Sequence, residues 1–376
     1  MVAAADDPRD VVLQAESAVS SVIFSTGPTE PTEPAGGERH AFVTRVATGA
    51  EAILAAAAAA HEGKRATAVL RPSEILGALS ALHAVARERA PITVHVVGDA
   101  GGICPGRDEI APTLDVGAGV LVTWSAQDSV DLALAVRRAA EDSETPFVVF
   151  TDGAGPVMSL AGAGLVEKFL GVRAPPRSRS TQPAREAGGA VPDAVAGKRV
   201  ERSYAARVPF ALAGAMRELV ELTGRPLAPV ERFETADAED VIVAVGHAFV
   251  AARAVAEVLR AEGRRVGAVG IRALRPFFAA DVVKAVARAR SVVVIEPLDV
   301  ALAPAGPLAT ILKAAFADAL TWAPGFPGVG RIPPIVSAVF ATLDGSIGER
   351  EVREALAESS AGDRAKRLMV FGSDGP

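Results

Sequence analysis

Twice along this chain, short unbroken apolar runs rich in β-branched residues alternate with longer Ala/Leu/Glu/Arg stretches of helical period. This alternation restricts the fold more than any other feature. A short apolar run with no polar residue in alternate places reads as a strand buried on both faces, and the helices between such strands cover those faces. In the first half the strands are expected at Val19–Ser25, Thr67–Leu70, Ile92–Val97, Val116–Trp124 and Pro146–Thr151. Helices are expected at Ala50–His61, Ser73–Arg89 and Ala126–Glu141, the last with Ser125 or Asp128 available as its cap. The fold class that follows is α/β, with mostly parallel sheets in three-layer αβα domains.

The second series starts near Asp240. Val241–Gly246 reads as a strand, His247–Glu262 as a helix closed by Gly263, and Arg265–Ile271 as a strand. Ala279–Arg288 is the next helix and Ser291–Glu296 the third strand. A βαβαβ order with right-handed crossovers makes a compact layered unit. Pro333–Leu343 is expected as an amphipathic helix, and the residues after Ser359 carry little pattern. Residues 1–10 read as a frayed tail. Residues 171–204 are rich in Pro, Arg, Ser and Gly without period, which suggests an extended arm. A helix at Pro209–Thr223 stops at Gly224, a usual residue just past a helix end. The expected domains are 11–205, including the 171–204 arm, and 237–345. A connecting helix and crossing over 206–236 joins them, and a C-terminal helix and tail occupy 346–376.

Composition removes several functions. Of the 376 residues half are hydrophobic but only 5% aromatic, so the core is expected to be built of small side chains. A net charge of −6 argues against a general nucleic-acid surface, which needs a basic face. One Cys excludes a disulfide framework and an iron–sulfur cluster held by this chain. No Asn occurs at all, which removes N-glycosylation and any chemistry that needs an Asn carboxamide. The most apolar run, Ala52–Ala60, is far shorter than the roughly 20 residues a bilayer requires. Acids stand near the N-terminus where a signal peptide needs positive charge. The expectation is a cytoplasmic protein with no membrane or nucleic-acid partner.

Familiar catalytic motifs are missing: no Gly-x-Gly-x-x-Gly between strand and helix, no Walker loop, no Gly-x-Ser-x-Gly elbow. The five His residues never fall at metal-ligand spacing, so no metal site is expected, and His83 and His95 read as structural. Cys104 lies in a loop beyond a strand and reads as inert. Asp152-Gly153 follows a strand end and reads as a turn.

The order of segments is more informative. Val241-Ile-Val-Ala-Val-Gly-His, then Gly267-Ala-Val-Gly-Ile-Arg-Ala-Leu-Arg-Pro-Phe277, then Val292-Val-Val-Ile-Glu-Pro, resembles the second domain of pyruvate:ferredoxin oxidoreductases and other 2-oxoacid:acceptor oxidoreductases. That domain is itself similar to the transketolase C-terminal domain. In the Arg-x-x-Arg-Pro-Phe turn, Pro276 is expected to fix the exit from the strand and Phe277 to anchor the next helix. Gly106-Arg-Asp-Glu-Ile, Gly117–Trp124, Ser125-Ala-Gln-Asp-Ser-Val-Asp-Leu-Ala and Pro146-Phe-Val-Val-Phe-Thr-Asp-Gly look like the family's pyrimidine-binding domain. Leu222-Thr-Gly-Arg-Pro226 is similar to its interdomain crossing. The resemblance runs from about residue 11 to 345.

It implies an α-type subunit of a thiamine-diphosphate-dependent 2-oxoacid:ferredoxin or flavodoxin oxidoreductase. Thiamine diphosphate would be shared with a partner chain and not held by this chain alone. The implied partners are a diphosphate-binding β-type subunit and an iron–sulfur subunit, or a second copy of the chain. The chemical positions depart from the family. Phe24-Ser-Thr-Gly-Pro-Thr29 replaces the substrate segment, which leaves Thr29 as the candidate substrate contact. Gly49 falls where the family's pyrimidine-directed Glu belongs. Glu51, two residues on, is the candidate catalytic and cofactor-binding acid. Such a step turns a helix by about 200°, so its carboxylate is expected to point away from the mouth formed by Phe24–Thr29 and Arg71–Glu74. Arg71-Pro-Ser-Glu74 and Asp99 replace two further family elements, and a carboxylate at 99 would repel an anionic 2-oxoacid. A non-catalytic relative serving as scaffold or assembly partner is therefore the alternative, with an inactive isolated chain. A transketolase-type sugar enzyme is a third reading that also needs a diphosphate domain from elsewhere.

Overall fold

A computed structural model describes residues 7–27, 41–98, 109–152, 155–175, 194–297, 304–340, 347–360 and 368–371, the side chains of 194–205 and 297 excepted. Cys104, Thr29, Asp99 and much of the 171–204 arm lie outside the described residues.

The first described helix is α1 (Pro8–Val19), which begins inside the segment 1–10 read as tail and runs on to Val19. Asp7 caps it by accepting the Arg9 amide at 2.8 Å, and Pro8 stands at the first turn, where its missing N–H costs nothing. The first sheet is then laid down by β1 (Val22–Ser25), β2 (Phe42–Arg45), β3 (Ala66–Leu70), β4 (Thr93–Val97), β5 (Gly119–Val122) and β6 (Phe147–Thr151). Between them run α2 (Gly49–His61), α3 (Pro72–Ile75), α4 (Leu79–Arg87), α5 (Ile110–Thr113) and α6 (Ala126–Ser143). Helices α7 (Ala163–Leu170) and α8 (Ala194–Thr223) follow, so the helix read from Pro209 begins upstream of it. The 73–89 stretch is broken into α3, a 3-10 turn over Leu76–Ala78 and α4.

The second sheet is formed by β7 (Val230–Phe233), β8 (Asp240–Val245), β9 (Val266–Ile271), β11 (Ser291–Pro297), β12 (Ile335–Phe340) and β13 (Leu368–Phe371). Helices α9 (Ala248–Ala261), α10 (Ala279–Val286), α11 (Pro307–Leu320) and α12 (Glu349–Ser359) cover it. The helix expected at Pro333–Leu343 is β12 instead. Its run Ile-Val-Ser-Ala-Val-Phe is buried throughout and pairs in parallel with β11 on one side and β13 on the other. β-Branched residues in a two-sided interior position fit a strand better than a helix surface.

With β10 (Ala273–Arg275) at its edge, the first sheet has the strand order β10-β5-β6-β4-β3-β1-β2, and the second has β13-β12-β11-β8-β9-β7. Both are parallel except at one edge each: β7 runs antiparallel to β9, and β10 runs antiparallel to β5. β10 comes from the second βα series but completes the first sheet. The fold class is the α/β layering read from the sequence. Among the described residues no helix is long and apolar enough to cross a membrane.

Small side chains do fill the interior. Ala52, Ala56, Ala57, Ala59 and Ala60 of α2 pack with Ala66, Ala68 and Leu70 of β3. On the other face, Leu132, Val136 and Ala139 of α6 meet Leu212, Met216 and Leu219 of α8. Each fully buried Val, Leu or Met contributes about 1.5–3 kcal/mol.

Candidate functional site

In open α/β sheets, ligands bind beyond the carboxyl ends of the strands where strand order reverses direction. In the first sheet this point lies between β1 and β3, because β2 is added on one side of β1 and every later strand on the other. The residues that converge there are Ser25 at the end of β1 and Thr26 after it, Gly49 at the start of α2, and Arg71 and Glu74 after β3. The Arg9 guanidinium reaches in from α1 and donates to Ser25 Oγ at 2.7 Å. Thus the structure brings together the Phe24–Gly27 and Arg71–Glu74 segments identified from sequence. Thr29 lies outside the described residues.

Glu51 stands apart from this convergence. Thr48 caps α2 through its hydroxyl, which accepts the Glu51 amide at 3.2 Å. The exposed Glu51 carboxylate turns back and accepts the Ala47 amide at 3.0 Å. It therefore closes a Thr-x-x-Glu cap, where an acid also favours the positive helix end.

The carboxylate in the crevice belongs to Glu74. It accepts a short hydrogen bond from Thr26 Oγ1, the Arg71 amide at 3.0 Å and Arg71 Nη2 at 3.2 Å. Burial works against its ionisation, but these bonds, led by Thr26, hold it below the usual carboxylate range. Gly49 sits against it: a Cβ there would stand 2.8 Å from Leu70 Cδ2 and 3.1 Å from the Glu74 carbonyl oxygen. So a side chain at position 49 requires Leu70 and the Glu74 backbone to shift, and the nearest acids are engaged in local bonds. Among the described residues, no group of three or more His, Cys, Asp or Glu is placed to hold a metal ion. The described residues at this crevice do not fit the thiamine group that the family resemblance implies.

In the Arg-x-x-Arg-Pro-Phe turn, where the sequence assigned structural roles to Pro276 and Phe277, the two arginines also have one. Arg272 is buried and bonds Asp128 of α6 through Nη2 at 3.2 Å to both carboxylate oxygens, and the Ala228 carbonyl at 2.6 Å. Its guanidinium also lies over Trp124, whose ring meets Phe249 of α9. Burial raises the Asp128 carboxyl above its ordinary value, with Arg272 and the Trp124 amide opposing. Arg275 bonds the Leu114 carbonyl at 2.9 Å. Asp152, read as a turn residue, accepts the His247 amide at 2.7 Å and so caps α9 from the opposite sheet. Gly246, at φ +60, provides the left-handed turn and the empty Cβ position this approach needs. Ser125 caps α6, and Asp128 accepts the Trp124 amide, so both cap candidates are used.

His95 is structural and wholly buried. Its Nε2 donates to Glu16 Oε1 at 2.8 Å, and Arg137 lies 3.7 Å from Glu16 Oε2. Arg137 also donates to Thr67 and Thr93 at 2.6 and 2.5 Å.

Comparisons with known proteins agree with this architecture. Residues 238–324 match the family model for pyruvate:ferredoxin oxidoreductase core domain II. The probable pyruvate-flavodoxin oxidoreductase of Escherichia coli K12 is 26% identical over 294 residues, covering 74% of this chain and 25% of that protein. The pyruvate synthase subunit PorA of Methanothermobacter thermautotrophicus is 35% identical over 104 residues, 28% of this chain and 27% of that subunit. The matches thus span about a quarter of each curated relative. In fold, the 2-oxoglutarate:ferredoxin oxidoreductase of Magnetococcus marinus superposes with a TM-score of 0.61 at 15% identity, over 94% of this chain and 64% of that one. A split-gene transketolase described as an inactive β4 tetramer gives 0.58 at 15%, over 96% and 99%. In sequence and in fold the chain is similar to the 2-oxoacid:acceptor oxidoreductases. The family-model match is confined to the second βα series, residues 238–324, which is similar to pyruvate:ferredoxin oxidoreductase core domain II.

Proposed function

We propose that the chain is an α-type subunit of a 2-oxoacid:acceptor oxidoreductase assembly, contributing scaffold rather than the pyrimidine-directed carboxylate. Two layered units would correspond to the pyrimidine-type and transketolase C-terminal-type domains, divided near residues 206–236. Diphosphate binding, metal binding and iron–sulfur clusters would come from partner chains, in the cytoplasm.

The observation that carries the scaffold part is the crowding at Gly49 by Leu70 and Glu74. General acid–base work needs a carboxylate within hydrogen-bond reach of the reacting ring. Here Glu51 serves its own helix cap, and Glu74 is held by Thr26 and Arg71.

A catalytic subunit is the second reading, favoured by the preserved order of segments along the family match. Glu51→Gln in the assembly reconstituted with the diphosphate-binding chain separates the two. The scaffold reading expects unchanged 2-oxoacid turnover, and loss of turnover with unchanged assembly would overturn it. Co-purification from the native host, with identification of bound subunits, tests the assembly. A chain recovered alone would count against it.

A further inference from the structure

The second sheet has its own reversal point. From β8 the chain adds β9 on one side and then crosses to β11 on the other, so the crevice lies beyond the carboxyl ends of β8 and β11. A small cleft, with about 30 Å³ open to the centre of a water-sized sphere, occupies that place. Among the described residues that line it, Leu274, Phe277 and Ile311 make the walls apolar, and Glu296 at the end of β11 is the acid.

Glu296 is buried, and its position has a local cause. Helix α11 starts after Gly306, an N-cap residue with no side chain to offer. Glu296 takes that role from the neighbouring strand, accepting the Leu308 amide at 2.8 Å and the Ala309 amide at 3.2 Å. A side chain at Gly306 would collide with this carboxylate. A carboxylate oxygen has two lone-pair directions, and one helix amide occupies each oxygen, so each retains a further acceptor direction.

We propose that this cleft binds a small organic ammonium ion, an alkyl or arylalkyl amine whose charged head meets Glu296 while its apolar body lies among Leu274, Phe277 and Ile311. An anion would be repelled by Glu296. Among the described lining residues the other charged side chain is Arg275, which is committed to the Leu114 and Leu274 carbonyls and to Asp115. A metal ion would find one carboxylate among the described lining residues. A desolvated carboxylate gains most from an opposite charge brought in with little water. Burial pushes the Glu296 carboxyl up to about 7, against the helix amides and the field of Lys313 from α11. The group is therefore partly protonated near neutrality, and an ammonium ion selects the ionised form.

The test uses the full chain and 3-methylbutylamine, with 3-methylbutan-1-ol as the uncharged control, followed by calorimetry from pH 6 to 8. A ligand of about six non-hydrogen atoms can reach a dissociation constant of about 1 mM. The amine is expected to bind in that range at pH 8 and about tenfold more weakly at pH 6, as Glu296 takes up a proton. The alcohol should bind at least about tenfold more weakly than the amine at pH 8, and Glu296→Gln should remove that advantage. No saturable amine binding at pH 8, or binding indifferent to pH and to Glu296→Gln, would overturn the proposal. Should Glu296→Gln fail to fold, Ile311→Phe narrows the cleft and leaves the carboxylate in place. Amine binding unchanged by Ile311→Phe overturns the proposal equally.

Discussion

The guanidinium of Arg272 lies 3.6 Å from the centre of the Trp124 ring while its Nη2 and Nε hold the Asp128 carboxylate. Trp124 and Asp128 flank the start of α6 beside the first sheet, and Arg272 leaves β9 of the second. One residue later the backbone becomes β10 and enters the first sheet. The family-like turn therefore docks one unit onto the other.

Replacing Arg272 should expose how much of the fold depends on this contact. Arg272→Ala leaves Asp128 buried without its cation, which costs about 3–5 kcal/mol. Arg272→Lys retains a charge but loses the planar fork and the stacking, so a smaller loss is expected. Urea unfolding measures both. An Arg272→Ala midpoint equal to that of the parent would show that the contact contributes nothing.

Glu16 provides the acid limb of stability. Burial alone would raise its carboxyl, but the hydrogen bond and charge of His95, with Arg137 and Thr67, bring it down to about 2 from 4.5. A lowered value means stability that is present above about pH 4.5 and is lost as pH falls towards 2. Glu16→Gln should destabilise the chain by about 3 kcal/mol at pH 7 and flatten the dependence over that window. Urea midpoints between pH 7 and 3 check this. A variant with the parent's slope would remove Glu16 from the account.

What the sequence reveals depends on how local each cause is. Val241–Val245 and Phe147–Thr151 are strands because their own residues demand two-sided burial, and both were legible. Helix α1 was also written locally, in Asp7-Pro8, and reading the segment as tail overlooked that signal. Ile335–Phe340 was misread because a short apolar run fits either period, and only its neighbours β11 and β13 decide. β10 could not be read at all, since three residues become a strand only through β5. At the candidate site, the displacement of Glu51 from position 49 was visible by counting. Glu74 as the acid in the crevice was not, because its partner Thr26 is distant in sequence.

Gly49 offers a direct check on the crevice. Gly49→Ala places a methyl group against Leu70 and the Glu74 backbone, which forces a shift costing about 1–3 kcal/mol. Gly49→Glu, which supplies the acid that the family resemblance calls for, should be worse and should not create thiamine diphosphate binding. Thermal unfolding and calorimetry measure the two effects. A stable Gly49→Glu chain that binds the cofactor would show that the crevice can open.

Glu296 makes the opposite contribution to that of Glu16. Its carboxyl is raised to about 7 from 4.5 because burial outweighs the two amides of α11. A raised value means that the stabilisation is complete below about pH 4.5 and is lost as pH rises through 7, then constant. Glu296→Gln still presents an oxygen to the Leu308 amide but carries no charge to desolvate. The variant should therefore show a flatter profile between pH 4.5 and 7, and be the more stable protein at pH 8 by about 2 kcal/mol. Urea titrations of parent and variant at pH 5 and pH 8 measure the difference directly. If Glu296→Gln were the less stable at pH 8, the ionised carboxylate at the start of α11 would be a net stabilising cap, and the burial cost assigned to it would be wrong.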